Sequence, residues 1–149
     1  MIRPVQHDDA AEVAAIYRPI VEKTPISFET EAPSRAAMRR RMLETAEERP
    51  WLVCELDGYI AGYAYASPHR SRDAYRWSVD SSIYVGTAFR RRGAARALYT
   101  ALFGVLRVQG YVNVFAGTTL PNPASVALHE SFGFQPVGTY RAVGYKHGA

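Results

Sequence analysis

The sequence predicts the α/β (α+β) class, a mixed sheet flanked by helices, built as one domain over residues 1–149. Three observations lead there. Stretches with helical apolar spacing alternate with short β-branched and aromatic runs in the order β-α-α-β-β-β-α-β-α-β. Asp57-Gly58 between two apolar runs is the signature of a tight hairpin. The 149 residues, 48% hydrophobic and 21% charged, suffice for one sizeable core, and no repeat, linker or low-complexity stretch divides them.

Ile2 to Val5 reads as a short opening strand. Asp8 or Asp9 then caps a helix carrying Val13, Ile16, Tyr17, Ile20 and Val21 on its apolar side. Pro19 predicts a kink or an early stop. Thr24 to Pro33, with two prolines, reads as a loop. Ser34 is the N-cap of a second helix reaching about Glu48, with Met38, Met42 and Leu43 facing inward and Arg39 to Arg41 mostly outward. Pro50 ends it.

Trp51–Leu56 and Tyr59–Ala66 are the arms of the hairpin. Ser67 to Tyr75 is a polar loop bearing arginines, and Ser78 to Val85 is the next strand. Gly93 to Val108 reads as a helix closed by Gly110, and Val112 to Ala116 as a short strand. Asn122 or Ser125 opens a last helix that ends near Gly133. Val137 to Tyr145 is predicted to be a final strand.

Composition removes several classes. No run approaches the roughly 20 apolar residues a bilayer span needs, and Met1-Ile2-Arg3-Pro4 does not begin a secretory pattern. A single cysteine, Cys54 in an apolar run, excludes an intrachain disulfide and a multi-cysteine metal site. A cytoplasmic protein without metal or membrane association is expected. The net charge of +4 suits an anionic ligand without choosing between a nucleotide and a nucleic acid.

The segment Ser82-Ile83-Tyr84-Val85-Gly86-Thr87-Ala88-Phe89-Arg90-Arg91-Arg92-Gly93-Ala94-Ala95 carries the chemistry. A strand ends, a short loop follows, and a helix starts on small residues. Such a start leaves N–H donors unpaired at the positive end of the helix dipole. Gly93, Ala94 and Ala95 let a phosphate come close, and Arg90, Arg91 and Arg92 add fixed positive charge. The pattern is neither a P-loop nor a dinucleotide fingerprint.

Arg90-x-x-Gly93-x-Ala95 after a strand resembles the Gln/Arg-x-x-Gly-x-Gly/Ala signature of the GNAT superfamily of N-acetyltransferases. Asn122-Pro123-Ala124-Ser125-Val126-Ala127-Leu128-His129-Glu130-Ser131-Phe132-Gly133-Phe134 resembles a later segment of the same superfamily. The chain is further similar, over nearly its whole length, to the phosphinothricin N-acetyltransferases and the relatives that acetylate methionine sulfone and sulfoximine. The matching pieces are Phe28-Glu29-Thr30-Glu31, Pro50 to Val53 with Asp57-Gly58, Arg72 to Trp77, Ser82 to Val85, Leu120 to Asn122, Leu128 to Glu130, and Gly144 to Gly148.

The resemblance implies a mostly antiparallel sheet and acetyl-CoA as co-substrate. It places the pantetheine arm along Ile83, Tyr84 and Val85, the pyrophosphate on residues 90 to 96 (Arg96 included), and Asn122 on the opposite side. Transfer to an amine needs a neutral, well-aimed nitrogen and a stabilised leaving thiolate, and no nucleophilic side chain.

The resemblance puts the catalytic carboxylate at Asp80, mid-strand, where a carboxylate is unusual. The family generally has Glu there, so a relay through water or a different base is implied. The alternative is a strand-edge Asp bonded to backbone or arginine. His129 stands where many superfamily members carry a thiolate-protonating tyrosine. It could orient the amine or shuttle its proton, or be a satisfied surface histidine. An anionic amino acid would be met by Arg70, Arg72, Arg76 and Tyr75, with Lys146 and Phe28 added by analogy.

In the family a Trp-containing strand follows the Lys146-His147-Gly148 segment; here the sequence given ends at Ala149, so the last family strand is expected to be missing. Relatives suggest a homodimer. Other readings are a different amine (polyamine, aminoglycoside or peptide N-terminus), a non-catalytic acyl-CoA-binding domain, and a nucleic-acid binder. The arginine-rich loop before Asp80 disfavours a cationic acceptor. The lack of stacking aromatics among the arginine triplets, Phe89 apart, disfavours nucleic acid.

Overall fold

The computed structural model describes residues 1–149. At its centre is the expected hairpin of β2 (Trp51–Leu56) and β3 (Tyr59–Pro68). Its turn has both central residues in the left-handed region, Asp57 at φ 55° and Gly58 at φ 80°, as a primed turn requires. β1 (Ile2–Pro4) pairs antiparallel with β2, and β4 (Ser78–Val85) pairs antiparallel with β3. β5 (Asn113–Phe115) joins β4 in parallel, so the five strands lie in the order β1-β2-β3-β4-β5.

Helices α1 (Ala10–Lys23) and α2 (Arg35–Glu48) cover one face of the sheet, and α3 (Ala94–Val108) covers the other. Alternation along β2 divides its side chains between the two layers. Trp51 and Val53 join Val13, Tyr17, Val21, Met38, Met42 and Tyr63 on the α1–α2 side. Leu52 and Cys54 join Ala64, Ala66, Val79, Leu98, Leu102 and Leu106 on the α3 side. Both faces of β2 are buried, which is why its sequence reads as one apolar run.

Helix α4 (Pro123–Ser131) is capped by Asn122, whose side chain accepts from Ser125 N–H at 3.2 Å. Ser34 caps α2 in the same manner, accepting from Ala37 N–H at 3.1 Å. No helix is long and apolar enough to cross a membrane.

Several expectations need correction. Pro19 does not stop α1, which runs on to Lys23 because Ile20 and Val21 bury themselves in the core. Leu43 is exposed, on the outer side of α2 from Met42. Ser67 and Pro68 belong to β3 rather than to the following loop, and Val112 stays outside β5. The strand expected over Val137 to Tyr145 does not form. Ala142 at φ 52° turns the backbone out of the extended region there, and these residues form no ladder with any of the five strands.

Asp9 begins α1, but its carboxylate serves tertiary structure. Arg3 of β1 donates to both of its oxygens at 2.8 Å and also to Glu55 of β2 at 2.6 Å. Gln6 N–H adds a third bond to Asp9, at 2.6 Å. Burial works against ionisation of Asp9, but the Arg3 fork and the Gln6 bond together hold its carboxyl below the ordinary value. A lowered folded-state value gives stability that is present above about pH 4 and is lost as pH falls through it. Asp9→Asn is therefore expected to cost about 2–3 kcal/mol at neutral pH, measured by urea melts. The difference from the parent protein should shrink as the melts are repeated in acid; a gap independent of pH would refute the ion-pair assignment.

Candidate active site

β4 and β5 pair only through Ser78–Asn113, Val79–Val114 and Asp80–Phe115. Beyond Asp80, β4 continues to Val85 with β3 on one side and no strand on the other. The sheet forks at Asp80. Ile83, Tyr84 and Val85 lie on the open arm, where backbone donors and acceptors are free for an extended ligand.

Past that arm, a short 3₁₀ turn (Thr87–Phe89) leads into the arginine loop and α3. Arg91 at φ 62° and Gly93 at φ 82° both lie in the left-handed region. The first bond of this helical start runs from Ala97 N–H to the Gly93 carbonyl at 3.1 Å. The amides of Ala94, Ala95 and Arg96 precede it and have no acceptor in the helix. A Cβ built on Gly93 would meet nothing within 4 Å, so the approach is open. This arrangement fits a pyrophosphate.

The arginines divide. Arg92 is held by Asp57 at 3.0 Å, and Arg96 by Ser131 Oγ at 3.1 Å over the ring of Phe132. Arg90 and Arg91 have no side-chain partner and are exposed. Asn122 has its carbonyl oxygen engaged in capping α4, which leaves its amide N–H₂ as the group available to a ligand.

Asp80 projects from the same face of β4 as Ser82 and Tyr84, the face on which Tyr84 packs against Tyr17 and Tyr63. Its Oδ1 lies 2.6 Å from Nδ1 of His69. The His69 ring stacks on Phe115 (4.3 Å between centroids, 21°) and meets the edge of Tyr75 at 5.9 Å. Arg70 sits over Tyr75, also at 5.9 Å. Arg72 lies beside them on the rim of an open polar groove of about 500 Å³, shared with Arg49, Arg70, Arg76, Glu48 and Asp73.

His129 belongs to a different network, on the opposite face of β4. Its Nδ1–H donates to the Ser125 carbonyl at 2.7 Å, so Nε2 accepts from Tyr99 O–H at 2.8 Å. Tyr99 in turn accepts from Ser81 at 3.1 Å. Burial pushes the Tyr99 phenol up to about 12, against the opposing effect of the Ser81 bond, so the proton needed for this chain of bonds is present at neutral pH. Both ring nitrogens of His129 have protein partners. Any proton transfer through the ring must first exchange one of them.

Phe28 and Lys146 form a third group. Lys146 is buried and donates to the Ser27 carbonyl at 2.7 Å. Gly144 lies against the Phe28 ring, and a Cβ there would stand 2.6 Å from it. Thus the last residues are tied to the loop after α1. That loop is fixed in turn by Glu29, which accepts from Tyr17 O–H and from Arg41 at 3.0 and 2.6 Å. The Arg41 fork holds the Glu29 carboxyl below its ordinary value. A cavity of about 190 Å³ between α2 and the sheet, lined by Met38, Arg41, Trp51, Tyr63 and Tyr65 among others, contains none of the predicted site residues.

Sequence reasoning missed His69, Tyr99 and Ser81. Tyr99 lies in the middle of α3, outside any motif. Ser81 is a small residue in a strand, and His69 lies in a polar loop outside any motif.

A forked sheet with a phosphate-ready helix start beyond the fork fits the acyl-CoA-dependent acyltransferase that the resemblance implies, and comparison with known proteins agrees. The chain belongs to the acetyltransferase (GNAT) family, whose domain model matches residues 2–149. More particularly, it is an acetyl-CoA-dependent N-acetyltransferase similar to phosphinothricin N-acetyltransferase of Streptomyces viridochromogenes, with 40% identity over 99% of this chain and 80% of that one. It is also 31% identical to the L-methionine sulfoximine/L-methionine sulfone acetyltransferase of Pseudomonas aeruginosa, over 99% of this chain and 87% of the relative. A phosphinothricin acetyltransferase from Sinorhizobium meliloti, solved in complex with AcCoA, matches at TM-score 0.95 and 34% identity, covering 100% of this chain and 82% of that one. The non-catalytic alternative gives way to these findings.

Proposed function

We propose that the acceptor is the α-amine of a small anionic amino acid, of the phosphinothricin or methionine sulfoximine/sulfone type. The observation that carries this reading is the surround of Asp80. His69 links Asp80 to Tyr75, Arg70 lies over Tyr75, and Arg70 and Arg72 line the adjoining groove, where four arginines (Arg49, Arg70, Arg72, Arg76) outnumber two carboxylates (Glu48, Asp73). A cationic acceptor would be repelled there, whereas a carboxylate or phosphinate would be attracted.

Bound acetyl-CoA supplies the activated thioester. The amides of residues 94 to 96, with Arg90 and Arg91, hold its pyrophosphate, and the open arm of β4 with Asn122 aligns the pantetheine. Asp80 accepts the ammonium proton, directly or through water. The neutral amine then forms the N–C bond as the C–S bond breaks, and the proton the nitrogen sheds in becoming an amide goes to the departing CoA thiolate, directly or through water. A single domain working in the cytoplasm as a homodimer completes the reading.

The test is thiol release from acetyl-CoA with phosphinothricin, methionine sulfoximine, methionine sulfone, spermidine and an N-terminal peptide as acceptors. Turnover is expected with the first three. Turnover confined to spermidine or the peptide would replace the acceptor proposed here.

A further inference from the structure

The carboxylate at the fork is gripped by a side chain outside every motif. We propose that His69 is a positioning residue for proton removal, presenting the Asp80 carboxylate to the acceptor amine by fixing one of its two oxygens. This rests on the reading of Asp80 as the proton acceptor.

A carboxylate only accepts, so in the 2.6 Å contact Nδ1–H of His69 donates to Asp80 Oδ1. Oδ1 is thereby committed, while Oδ2 has no protein partner and remains available. The donor is itself held. Its ring lies flat on Phe115, the residue paired with Asp80 in the last β4–β5 pair before the fork. Tyr75 closes the ring's other approach edge-on. His69 also follows directly on Pro68, the last residue of β3, two positions beyond Ser67, which pairs with Asp80. Three elements thus bring one N–H to one oxygen.

Aspartate has one fewer rotatable bond than glutamate and a shorter reach. Its free oxygen therefore points where the carboxyl plane is set, and His69 sets that plane. A misaimed base costs rate without disturbing cofactor binding.

Two substitutions separate the hydrogen bond from the packing. His69→Phe keeps a ring on Phe115 and removes the donor. His69→Asn keeps an N–H near the place of Nδ1 and removes the ring. His69→Phe is expected to lower kcat by about tenfold or more, with the KM for acetyl-CoA unchanged, and His69→Asn to stay within about threefold of the parent. A parent-like kcat in His69→Phe, or equal losses in both variants, would overturn the proposal.

A measurement independent of turnover accompanies these. Ring ¹⁵N spectra at pH 8 should show His69 protonated at Nδ1 in the parent and at Nε2 in Asp80→Ala. An Nε2–H ring in the parent protein refutes the pairing itself. Silence of the parent enzyme across the acceptor panel, with the Nδ1–H ring present, would instead count against the proposed acceptor class.

Discussion

Asp80→Ala is expected to lower kcat by about two to three orders of magnitude, in the range that a positioned general base supplies. The residue stands at the last β4–β5 pair, where the open arm begins. Its side chain makes no bond to the phosphate-ready loop, so acetyl-CoA affinity, measured by calorimetry, should stay within about twofold. Asp80→Asn should behave alike, because an amide keeps the shape and the bond to His69 but not the basicity. Retention of most of the activity in either variant would move the base elsewhere.

The second large effect concerns Gly93. At φ 82° it starts α3 in a conformation that a β-branched side chain resists. A Cβ would meet nothing within 4 Å, so Gly93→Val acts through the backbone and not through crowding. The strain of about 1–3 kcal/mol is relieved by rotating the first-turn amides away from their common target. Acetyl-CoA affinity is expected to fall by at least about tenfold. Asn tolerates the left-handed region better than Val, so Gly93→Asn should fall between the parent and Gly93→Val in the same titration. Equal affinity in all three proteins would remove the residue 94–96 amides from the pyrophosphate site.

Most of the fold was legible because its elements declare themselves locally. The Asp57-Gly58 turn, the Ser34 and Asn122 caps and the helical spacing of Leu98, Leu102 and Leu106 each follow from neighbours in the chain. The failures have non-local causes. Pro19 does not end α1, because residues after it are buried in the core, and the expected strand over 137–145 is turned aside at Ala142.

The site divides on the same line. The arginine loop and small-residue helix start are contiguous, and the sequence points straight at them. His69 meets Asp80 across the β3–β4 pairing, and Tyr99 reaches His129 between α3 and α4. Nothing in the spacing of either pair encodes that meeting. Lys146 and Phe28 came only by analogy, and they sit together for a reason no local pattern carries: the chain's last turn doubles back onto the loop after α1.

The two tryptophans of this chain are placed very differently. Trp51 is 4% exposed and stacked on Tyr65 at 4.1 Å, while Trp77 is 49% exposed beside Arg76, at the entry to β4. Their emission therefore separates: a blue-shifted component shielded from iodide reports on the core, and a red-shifted, quenchable one reports on the arginine loop. Acceptor titrations can be followed by the second signal while the first certifies that the fold is intact, with no label attached.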